Sequence, residues 1–328
     1  MRIFVTGATG FVTGRVTKAL VARGDDVRAL VRDVPRAAAL ATAGVTLVAG
    51  DLLDADALRR GMDGVDGVIH GAAVYEVGIA SSRRPAMYAA NVTGTERVLD
   101  AALAARVPRV VYISTCAIFG NTHGAVVDES YTRTGPYTSY YEETKVRAHE
   151  VAVERAARGL SVTLVQPGGV YGPGDSSQLG GLMQRFVRAG LPLIAFADAG
   201  LSFVHVDDLA TGIIAALDRG AAGRSYILGG DNARVVDAFA ALARISGRRA
   251  PGTLPYWPIE LAALARPQLR ELITTAKGVT FWATSARAKG ELGYSARGLE
   301  PGLRDTYGTS AAGLRSDQGR STRRPNRK

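Results

Sequence analysis

The stretch Thr6-Gly7-Ala8-Thr9-Gly10-Phe11-Val12-Thr13-Gly14 follows an apolar run at Ile3–Val5 and leads into a helical pattern at Gly14–Arg23. Glycine lets the backbone turn tightly and approach a bound group without a Cβ in the way. The N–H groups at a helix start, together with the helix dipole, attract an anion. A strand, a glycine-rich turn and a helix in this order therefore predict a phosphate cradle.

The first 166 residues alternate strand-like runs with helical patterns. Strands are predicted at Ile3–Val5, Asp26–Val31, Val45–Val48, Gly67–His70, Val110–Ser114 and Ser161–Val165. Helical patterns occupy Gly14–Arg23, Asp54–Met62, Met87–Ala105 and Ser139–Arg158. Apolar runs with little alternation indicate strands buried on both faces. The strand–helix alternation then predicts an α/β fold with a doubly wound parallel sheet.

Proline and glycine cluster after Gln166, which predicts a boundary there. We therefore expect a nucleotide-binding domain at 1–166 and a smaller C-terminal substrate-binding lobe at 167–308. A strand at Phe203–Val206 and a helix that opens at Asp207 or Asp208 are expected to return to the first domain. Ser225–Leu228 is expected to form a further strand.

Composition limits the possible classes of protein. The net charge is +10, but residues 309–328 contain six Arg or Lys and one Asp, so this segment alone supplies +5. We expect it to be a disordered basic tail. No apolar run is long enough for a membrane span, and no basic motif rich in aromatic residues suggests nucleic-acid binding. The start on a strand-like segment and the single cysteine predict a cytoplasmic protein.

Several further stretches accompany the cradle in a fixed order along the chain. They are Asp51-Leu52, His70-Gly71-Ala72-Ala73, Asn91-Val92-Thr93-Gly94-Thr95 and Phe203-Val204-His205-Val206-Asp207-Asp208. With them, residues 1–308 resemble the extended short-chain dehydrogenase/reductase (NAD-dependent epimerase/dehydratase) family, which implies a Rossmann domain. Thr13 occupies the place of the family's third glycine, which leaves the docking of the first helix in question.

The resemblance implies a set of cofactor-binding residues. The cradle contributes Thr6, Gly7, Thr9, Gly10, Phe11 and Val12; Asp51 and Leu52 would contact adenine; Ala72, Ala73, Tyr141, Lys145 and Pro167 complete the set. Arg32 follows the second strand, where a cation suits the 2′-phosphate of NADP, and Arg36 can assist. Asp33 stands beside it and keeps NAD as the alternative, because a carboxylate there accepts bonds from the ribose.

Tyr141 and Lys145 have a YxxxK spacing on a predicted helix. Residues four apart share one helical face, so the ammonium can lie beside the phenol and lower its pKa towards neutrality. Ser139 and Glu142 are expected to form a capping box. In the family, this tyrosine is the acid–base residue and the lysine also contacts the nicotinamide ribose.

The third catalytic residue is expected after the strand Val110–Ser114. The stretch from Val111 to Gly120 resembles the family's substrate-contacting segment, and alignment on its last glycine selects Thr115, with Ser114 as runner-up. Cys116 is more typical of a small buried residue than of a nucleophile. The four histidines are scattered without metal-ligand spacing, so no metal is expected.

Two positions indicate which branch of the family the chain resembles, because nucleotide-sugar epimerases usually carry arginine there and this chain does not. Nucleotide-sugar epimerases usually carry one before the Phe-Val-His-Val strand, where Leu201-Ser202 stands here, and Gln166 replaces another before Pro167. A guanidinium pairs bidentately with phosphate, so its loss weakens such a substrate. The chain resembles the dihydroflavonol-reductase and hydroxysteroid-dehydrogenase side, which reduces carbonyl compounds.

Two other functions stay open: an NAD-dependent nucleotide-sugar epimerase or dehydratase, and a non-catalytic NADP-binding sensor. Five residues are expected to line an apolar substrate pocket: Tyr75, Tyr88, Met183, Phe186 and Trp257. The expected partners are a small-molecule substrate and a second copy of the chain, paired through the helices at 87–105 and 139–158. Neither nucleic acid nor a membrane is expected.

Overall fold

The computed structural model describes residues 1–308, so the predicted basic tail lies outside the described residues. The strands are β1 (Arg2–Thr6), β2 (Asp26–Val31), β3 (Thr46–Ala49), β4 (Gly67–His70), β5 (Val110–Ile113), β6 (Val162–Pro167), β7 (Gly169–Tyr171), β8 (Leu193–Ile194), β9 (Gly200–His205), β10 (Ser225–Leu228), β11 (Asp231–Arg234), β12 (Gly252–Thr253) and β13 (Thr280–Phe281). The α-helices are α1 (Phe11–Ala22), α2 (Ala38–Thr42), α3 (Ala55–Met62), α4 (Arg84–Tyr88), α5 (Gly94–Ala104), α6 (Tyr140–Ala157), α7 (Gln178–Ala189), α8 (Val206–Arg219), α9 (Val235–Ser246), α10 (Tyr256–Ala265), α11 (Pro267–Ala276) and α12 (Ala286–Leu292).

Seven parallel strands form the central sheet in the order β10-β6-β5-β4-β1-β2-β3. The chain runs outward from β1 in one direction through β2 and β3, and in the other from β4 onward. The switch therefore lies between β1 and β4, where Thr6 pairs with His70 at the carboxyl ends. Ligands of open α/β sheets bind at such a crevice. The doubly wound α/β prediction is confirmed.

Both faces of this sheet are buried, as the apolar strands predict. On β1, Ile3 and Val5 pack on the side of α1 and α8, and Phe4 packs on the side of α3, α5 and α6. Side chains alternate across a strand, so an apolar residue at every position requires a helical layer on each face. These two layers hold the carboxyl edge of the sheet in place for ligand binding.

A smaller region is built from residues before and after β10, because β10 itself, expected within the lobe at 167–308, joins the central sheet beside β6. Its sheet pairs β9 with β11, β13 and β7, and β8 pairs with β12. Of the two elements expected to return to the first domain near residue 203, only the helix does so: α8 packs on α1, whereas β9 lies in this second sheet. The helix begins at Val206, before the expected aspartates, and His205 accepts a hydrogen bond from the Asp207 N–H as its N-cap.

The long helix predicted at 87–105 is interrupted. Helix α4 ends at Tyr88, a π-helical turn spans Ala89–Thr93, and α5 begins at Gly94. Such turns insert an extra residue into a helix and are frequent at functional sites. This one contains Asn91. Among the helices described here, none is long and apolar enough to cross a bilayer.

Candidate active site

The glycine-rich turn forms a cradle at the carboxyl end of β1. Gly7 has a φ of +80°, and a Cβ there would lie 2.8 Å from the backbone nitrogen of Ala72, so only glycine fits. The Gly10 N–H donates to the Gly7 carbonyl at 2.8 Å, and Gly10 is the N-cap of α1. Within the described chain, no side chain caps this helix and its first turn carries no acidic residue. The cradle therefore fits a dinucleotide pyrophosphate.

Thr13 explains how α1 docks without the usual third glycine. Its side chain is buried, and a Cβ on Gly71 would lie 2.7 Å from the Thr13 hydroxyl. Because Gly71 has no side chain, the turn after β4 leaves room for the side chain of Thr13. The close contact between α1 and the sheet therefore depends on a glycine in the sheet turn instead of a glycine in the helix.

The predicted adenosine-binding residues lie along the same edge. Arg32 is exposed just after β2, whereas the Asp33 carboxylate accepts the Arg36 N–H at 2.9 Å. The Asp51 carboxylate accepts the Leu53 N–H at 3.0 Å, and Leu52 packs against Gly94. The remaining predicted cofactor residues differ in burial. Thr6 and Pro167 are buried, Thr9 and Ala73 are exposed, and the half-buried ones are Phe11, Val12 and Ala72.

Helix α6 presents the predicted catalytic pair. Tyr141 lies in its first turn, and its ring meets Tyr75 edge-on with the ring centroids 4.8 Å apart. The Lys145 ammonium donates to the Tyr112 hydroxyl at 3.2 Å and to the Ile113 carbonyl at 2.9 Å, both on β5. Both side chains therefore lie at the carboxyl end of the central sheet.

The capping box expected at Ser139 and Glu142 is only half formed. The Ser139 hydroxyl accepts the Glu142 N–H at 3.1 Å. The Glu142 carboxylate, however, accepts the Thr138 N–H at 2.9 Å and pairs with Arg133 at 2.6 Å, instead of returning to Ser139. Both oxygens of the buried carboxylate are thus engaged, one by the Arg133 guanidinium and the other by Thr138.

Burial controls the electrostatics of this pair. It raises the pKa of the Tyr141 phenol far above its usual range, an effect that the hydroxyls of Tyr75 and Tyr112 reinforce and the nearby Thr115 side chain opposes. Burial also lowers the pKa of Lys145 to about 7. The expectation that Lys145 lowers the pKa of Tyr141 is therefore wrong for this arrangement, because the ammonium is directed at β5 and desolvation dominates.

Thr115 and Ser114 have different surroundings. Ser114 is buried, and its hydroxyl is hydrogen-bonded to Nδ1 of His149 at 3.0 Å. Thr115 is half-buried, accepts the Ala117 N–H at 3.2 Å, and is close enough to the Tyr141 phenol to lower its pKa. Of the two hydroxyls, that of Thr115 is the one that affects the pKa of Tyr141.

Sequence reasoning missed a buried hydrogen-bond chain beneath the pair. Nε2 of His70 lies 3.0 Å from the Thr95 hydroxyl, which donates to the Asn91 carbonyl at 2.7 Å, and Nδ1 of His70 lies 2.7 Å from the Thr6 hydroxyl. Burial lowers the pKa of His70 to about 3, so its ring is neutral and Nε2 carries the proton towards Thr95. Thr95 is also close enough to the Tyr112 hydroxyl to lower its pKa, and that hydroxyl accepts a hydrogen bond from Lys145. The polar residues Thr6, His70 and Tyr112 on otherwise apolar strands were the signal for part of it.

Asn91, expected only to support the helix, ties two predicted parts of the site together. Its amide oxygen accepts the Val74 N–H at 2.7 Å, and its amide nitrogen donates to the Val74 carbonyl at 3.0 Å. It also donates to the Thr144 hydroxyl at 3.0 Å. The π-helical turn thus joins the loop after β4 to the helix of Tyr141.

Only part of the expected apolar pocket is brought together. Tyr75 lies against Tyr141, but Met183 and Phe186 are fully buried in the core of the smaller region. Trp257 is 67% exposed, and Tyr88 is also exposed. Met183 and Phe186 are core residues because α7 uses them to pack on α9. Among residues 1–308, no cluster of His, Cys, Asp and Glu is arranged to hold a metal ion.

This chain has neutral side chains at the two places where nucleotide-sugar epimerases usually carry an arginine. Leu201 packs on Gly169, and the polar atoms Oε1 of Gln166 and Oγ of Ser202 are buried with no hydrogen-bond partner in the described residues. Arg185 and Arg188 are exposed on α7. A diphosphate anchor is thus missing from β6 and β9.

Comparison with known proteins agrees with this geometry. The family model for the NAD dependent epimerase/dehydratase family matches residues 3–229. The chain is 36% identical over 263 residues to a Synechocystis protein provisionally named dihydroflavonol 4-reductase, covering 77% of this chain and 75% of that protein. It is 30% identical to the 4-hydroxy-2-methyl-3-oxo-4-farnesyl-3,4-dihydroquinoline-1-oxide ketoreductase of Stigmatella aurantiaca, covering 90% and 92%.

A solved structure shares the fold. The UDP-glucuronic acid 4-epimerase of Bacillus cereus in complex with NAD superposes with a TM-score of 0.76 at 21% identity, covering 96% of this chain and 97% of that one. The family match and the relatives confirm the resemblance seen in the sequence. This chain belongs to the NAD-dependent epimerase/dehydratase family and is an NAD(P)-dependent oxidoreductase or epimerase of the short-chain dehydrogenase class.

Proposed function

We propose that this enzyme reduces a carbonyl group of a small, weakly charged organic substrate with NADPH, or runs the reverse alcohol oxidation. The observation that carries the proposal is the placement of Thr115 and α6 at the carboxyl end of β5: Thr115 is close enough to Tyr141 to lower its pKa, and Lys145 donates to the Ile113 carbonyl at 2.9 Å. Two hydroxyls at one point can both bond a substrate oxygen. The relatives named as reductases support the same reaction.

In this reaction Thr115 orients the substrate oxygen and Tyr141 donates its phenolic proton to it. Burial raises the pKa of Tyr141, so at neutral pH the phenol carries the proton that a developing alkoxide takes up. A dinucleotide held by the cradle at Thr6–Val12 would supply the hydride. Lys145 holds the end of β5 through its hydrogen bond to the Ile113 carbonyl.

The preference for NADP is supported by the residues after β2. Asp33 is engaged by the backbone of its own turn, so its carboxylate is less available to a ribose. Arg32 is exposed, and it forms no ion pair within residues 1–308. A guanidinium at this position suits a 2′-phosphate. NAD, which is bound in the structural neighbour, is the alternative cofactor.

The proposed substrate class follows from the neutral positions on β6 and β9. Leu201 and Gln166 offer no charge to a diphosphate, while Tyr75 presents a largely exposed aromatic ring beside Tyr141. An uncharged aromatic edge favours an apolar or aromatic carbonyl compound over a nucleotide sugar. The proposed enzyme acts as a homodimer in the cytoplasm, where the single buried thiol of Cys116 stays reduced.

The decisive experiment separates reduction from epimerisation. The protein is purified without added nucleotide, its retained cofactor is measured, and NADPH oxidation is followed with a panel of carbonyl compounds. We expect little retained nucleotide and NADPH-dependent turnover of at least one apolar carbonyl compound. Stoichiometric retained NAD with micromolar affinity for UDP- or dTDP-sugars would replace this proposal with epimerisation.

Epimerisation is the second candidate because Arg185 and Arg188 offer exposed cations on α7, from which a diphosphate could be held in another direction. Replacing both by alanine distinguishes the two functions. Sugar-nucleotide binding would be lost if these arginines were the anchor, whereas carbonyl reduction is expected to be unaffected. Tight NADPH binding with no turnover of either substrate class would instead indicate a sensor.

A further inference from the structure

Helix α10 presents an apolar stripe that no other described element covers. Trp257, Leu261 and Leu264 are 67%, 62% and 69% exposed. At roughly 100° per residue, these three positions lie within about 60° of one another around the helix. Large apolar side chains scattered singly on a surface are ordinary, but three on one face of a ten-residue helix form a patch.

The stripe belongs to a hairpin that contacts the candidate active site. Helix α11 packs on α10, and the Arg270 guanidinium donates to the Ala263 carbonyl at 3.0 Å. Helix α11 also bonds to the segment at the start of α6. The Glu271 carboxylate accepts the Tyr140 N–H, and the Thr275 hydroxyl donates to the Thr138 carbonyl at 3.1 Å. The residues beside Tyr141 are therefore bonded to the hairpin that carries the stripe.

Positive charge adjoins the stripe. Glu260 is neutralised by Lys277 at 2.6 Å, and Glu271 pairs with Arg84 at 3.7 Å. Arg266 and Arg270 are exposed and form no ion pair in the part of the chain described here. The hairpin thus combines exposed apolar side chains with uncompensated cations, on a chain whose net charge is +10.

We propose that the stripe Trp257–Leu261–Leu264 docks this enzyme onto the surface of an anionic lipid bilayer. Amphipathic helices bury such side chains at the boundary between headgroups and acyl chains, and flanking cations bind anionic headgroups. Tryptophan is enriched at this interface. Docking of this kind needs no membrane-spanning segment, and it goes beyond the proposed reaction without depending on it.

A second copy of the chain fits the stripe less well. A stable interface buries roughly 800 Å² on each partner, and three side chains supply only part of that area. A two-fold contact also brings the same patch of each copy together, so Arg266 and Arg270 would face their own counterparts. An anionic surface offers these cations opposite charge.

The two tryptophans of the chain provide a direct probe. Trp282→Phe leaves Trp257 as the single tryptophan, so its fluorescence reports on the stripe itself. The full-length variant is titrated with vesicles of equimolar phosphatidylcholine and phosphatidylglycerol, with and without brominated acyl chains. We expect a blue shift of Trp257 emission and quenching by the brominated lipid, both weaker with pure phosphatidylcholine and in high salt.

Neutral substitutions test the stripe without changing charge. Leu261→Ser together with Leu264→Ser, in the Trp282→Phe background, is expected to weaken vesicle affinity about tenfold or more. Val126→Ser is the matched control, because Val126 is 56% exposed on a loop outside the hairpin, and it is expected to bind like the parent. Circular dichroism confirms that each variant is folded.

Three results would overturn the proposal. Unchanged Trp257 emission with anionic vesicles does so, even if the protein sediments with them, because the basic segment 309–328 can then account for the binding. Equal affinity of the double serine variant and the Val126→Ser control does so as well. The third result is a dimer that the two serine substitutions dissociate, together with no change of Trp257 emission on addition of lipid.

Discussion

The side-chain nitrogen of Lys145 donates a hydrogen bond to the hydroxyl of Tyr112 across 3.2 Å, from helix α6 to strand β5. Tyr112 is fully buried, and no carboxylate forms an ion pair with Lys145 among the described residues. The ammonium is therefore held by neutral oxygens alone. This arrangement explains why burial lowers the pKa of Lys145 to about 7 and makes Tyr112 a positioning residue for it.

Tyr112→Phe is expected to move the basic limb of the kcat profile to lower pH. The hydroxyl accepts a bond from the charged form of Lys145, so its loss lowers the pKa of Lys145 further, by roughly one unit for a charge-assisted hydrogen bond. Activity that requires the ammonium then disappears earlier as pH rises. The measurement is kcat against pH with saturating NADPH.

The matched control is Tyr226→Phe, which removes the hydroxyl of another buried tyrosine in the same sheet, bonded to Glu291 at 2.8 Å. It is expected to lower stability without shifting the pH profile. An identical profile for wild type and Tyr112→Phe would show that Tyr112 has only a structural role.

Burial of Lys145 also predicts a pH dependence of stability. Its pKa is about 7 in the folded state and about 10.5 when the chain is unfolded, so the unfolded state binds more protons between these values. The free energy of unfolding should therefore rise with pH from 7 towards 10.5, by up to about 1.4 kcal/mol per unit. Urea denaturation of the wild type and of Lys145→Met, compared at several pH values, measures this slope. A slope that is the same in both proteins contradicts the burial effect.

Tyr141→Phe is expected to reduce kcat at least about a hundredfold, because only the hydroxyl that transfers the proton is removed. Its Kd for NADPH should stay within about twofold of wild type. Thr115→Val should reduce kcat less, since orientation is lost but the acid is kept. Retention of more than about a tenth of the wild-type kcat by Tyr141→Phe would exclude tyrosine as the acid.

Arg32→Ala is expected to weaken NADPH binding about tenfold or more and to leave NADH binding unchanged, because the guanidinium would pair only with the 2′-phosphate. Fluorescence titration of both cofactors measures the ratio. Arg59→Ala, on an exposed turn of α3, is the matched control and should alter neither affinity. Equal loss for both cofactors would place Arg32 outside phosphate recognition.

A homodimer is expected through α5 and α6, which pack side by side and are joined by the ion pair of Arg155 and Asp100 at 2.7 Å. Val153 is 50% exposed on α6, so Val153→Arg should dissociate the dimer. Val126→Arg adds the same charge elsewhere and should not. Light scattering at micromolar concentration measures the mass, and a wild-type mass of one chain refutes the expectation.

The sequence by itself determined the elements that depend on near neighbours along the chain. The strands Asp26–Val31, Gly67–His70 and Ser225–Leu228 have the predicted bounds, because an apolar run between turn residues needs no distant information. The cradle followed from its glycines, since the backbone at Gly7 tolerates no Cβ.

The tertiary structure alone decided which distant groups meet. Sequence spacing placed Lys145 beside Tyr141, but only the packing of α6 on β5 directs its ammonium to Tyr112. The apolar pattern of β9 suits either sheet, and only the tertiary structure places this strand in the second one. Likewise, the sequence of α10 does not show whether its apolar side is buried, and only the tertiary structure leaves Trp257 exposed. Local patterns specify a strand or a helix. The partner of each face depends on residues far away in the chain, and its choice rests on burial and charge compensation in three dimensions.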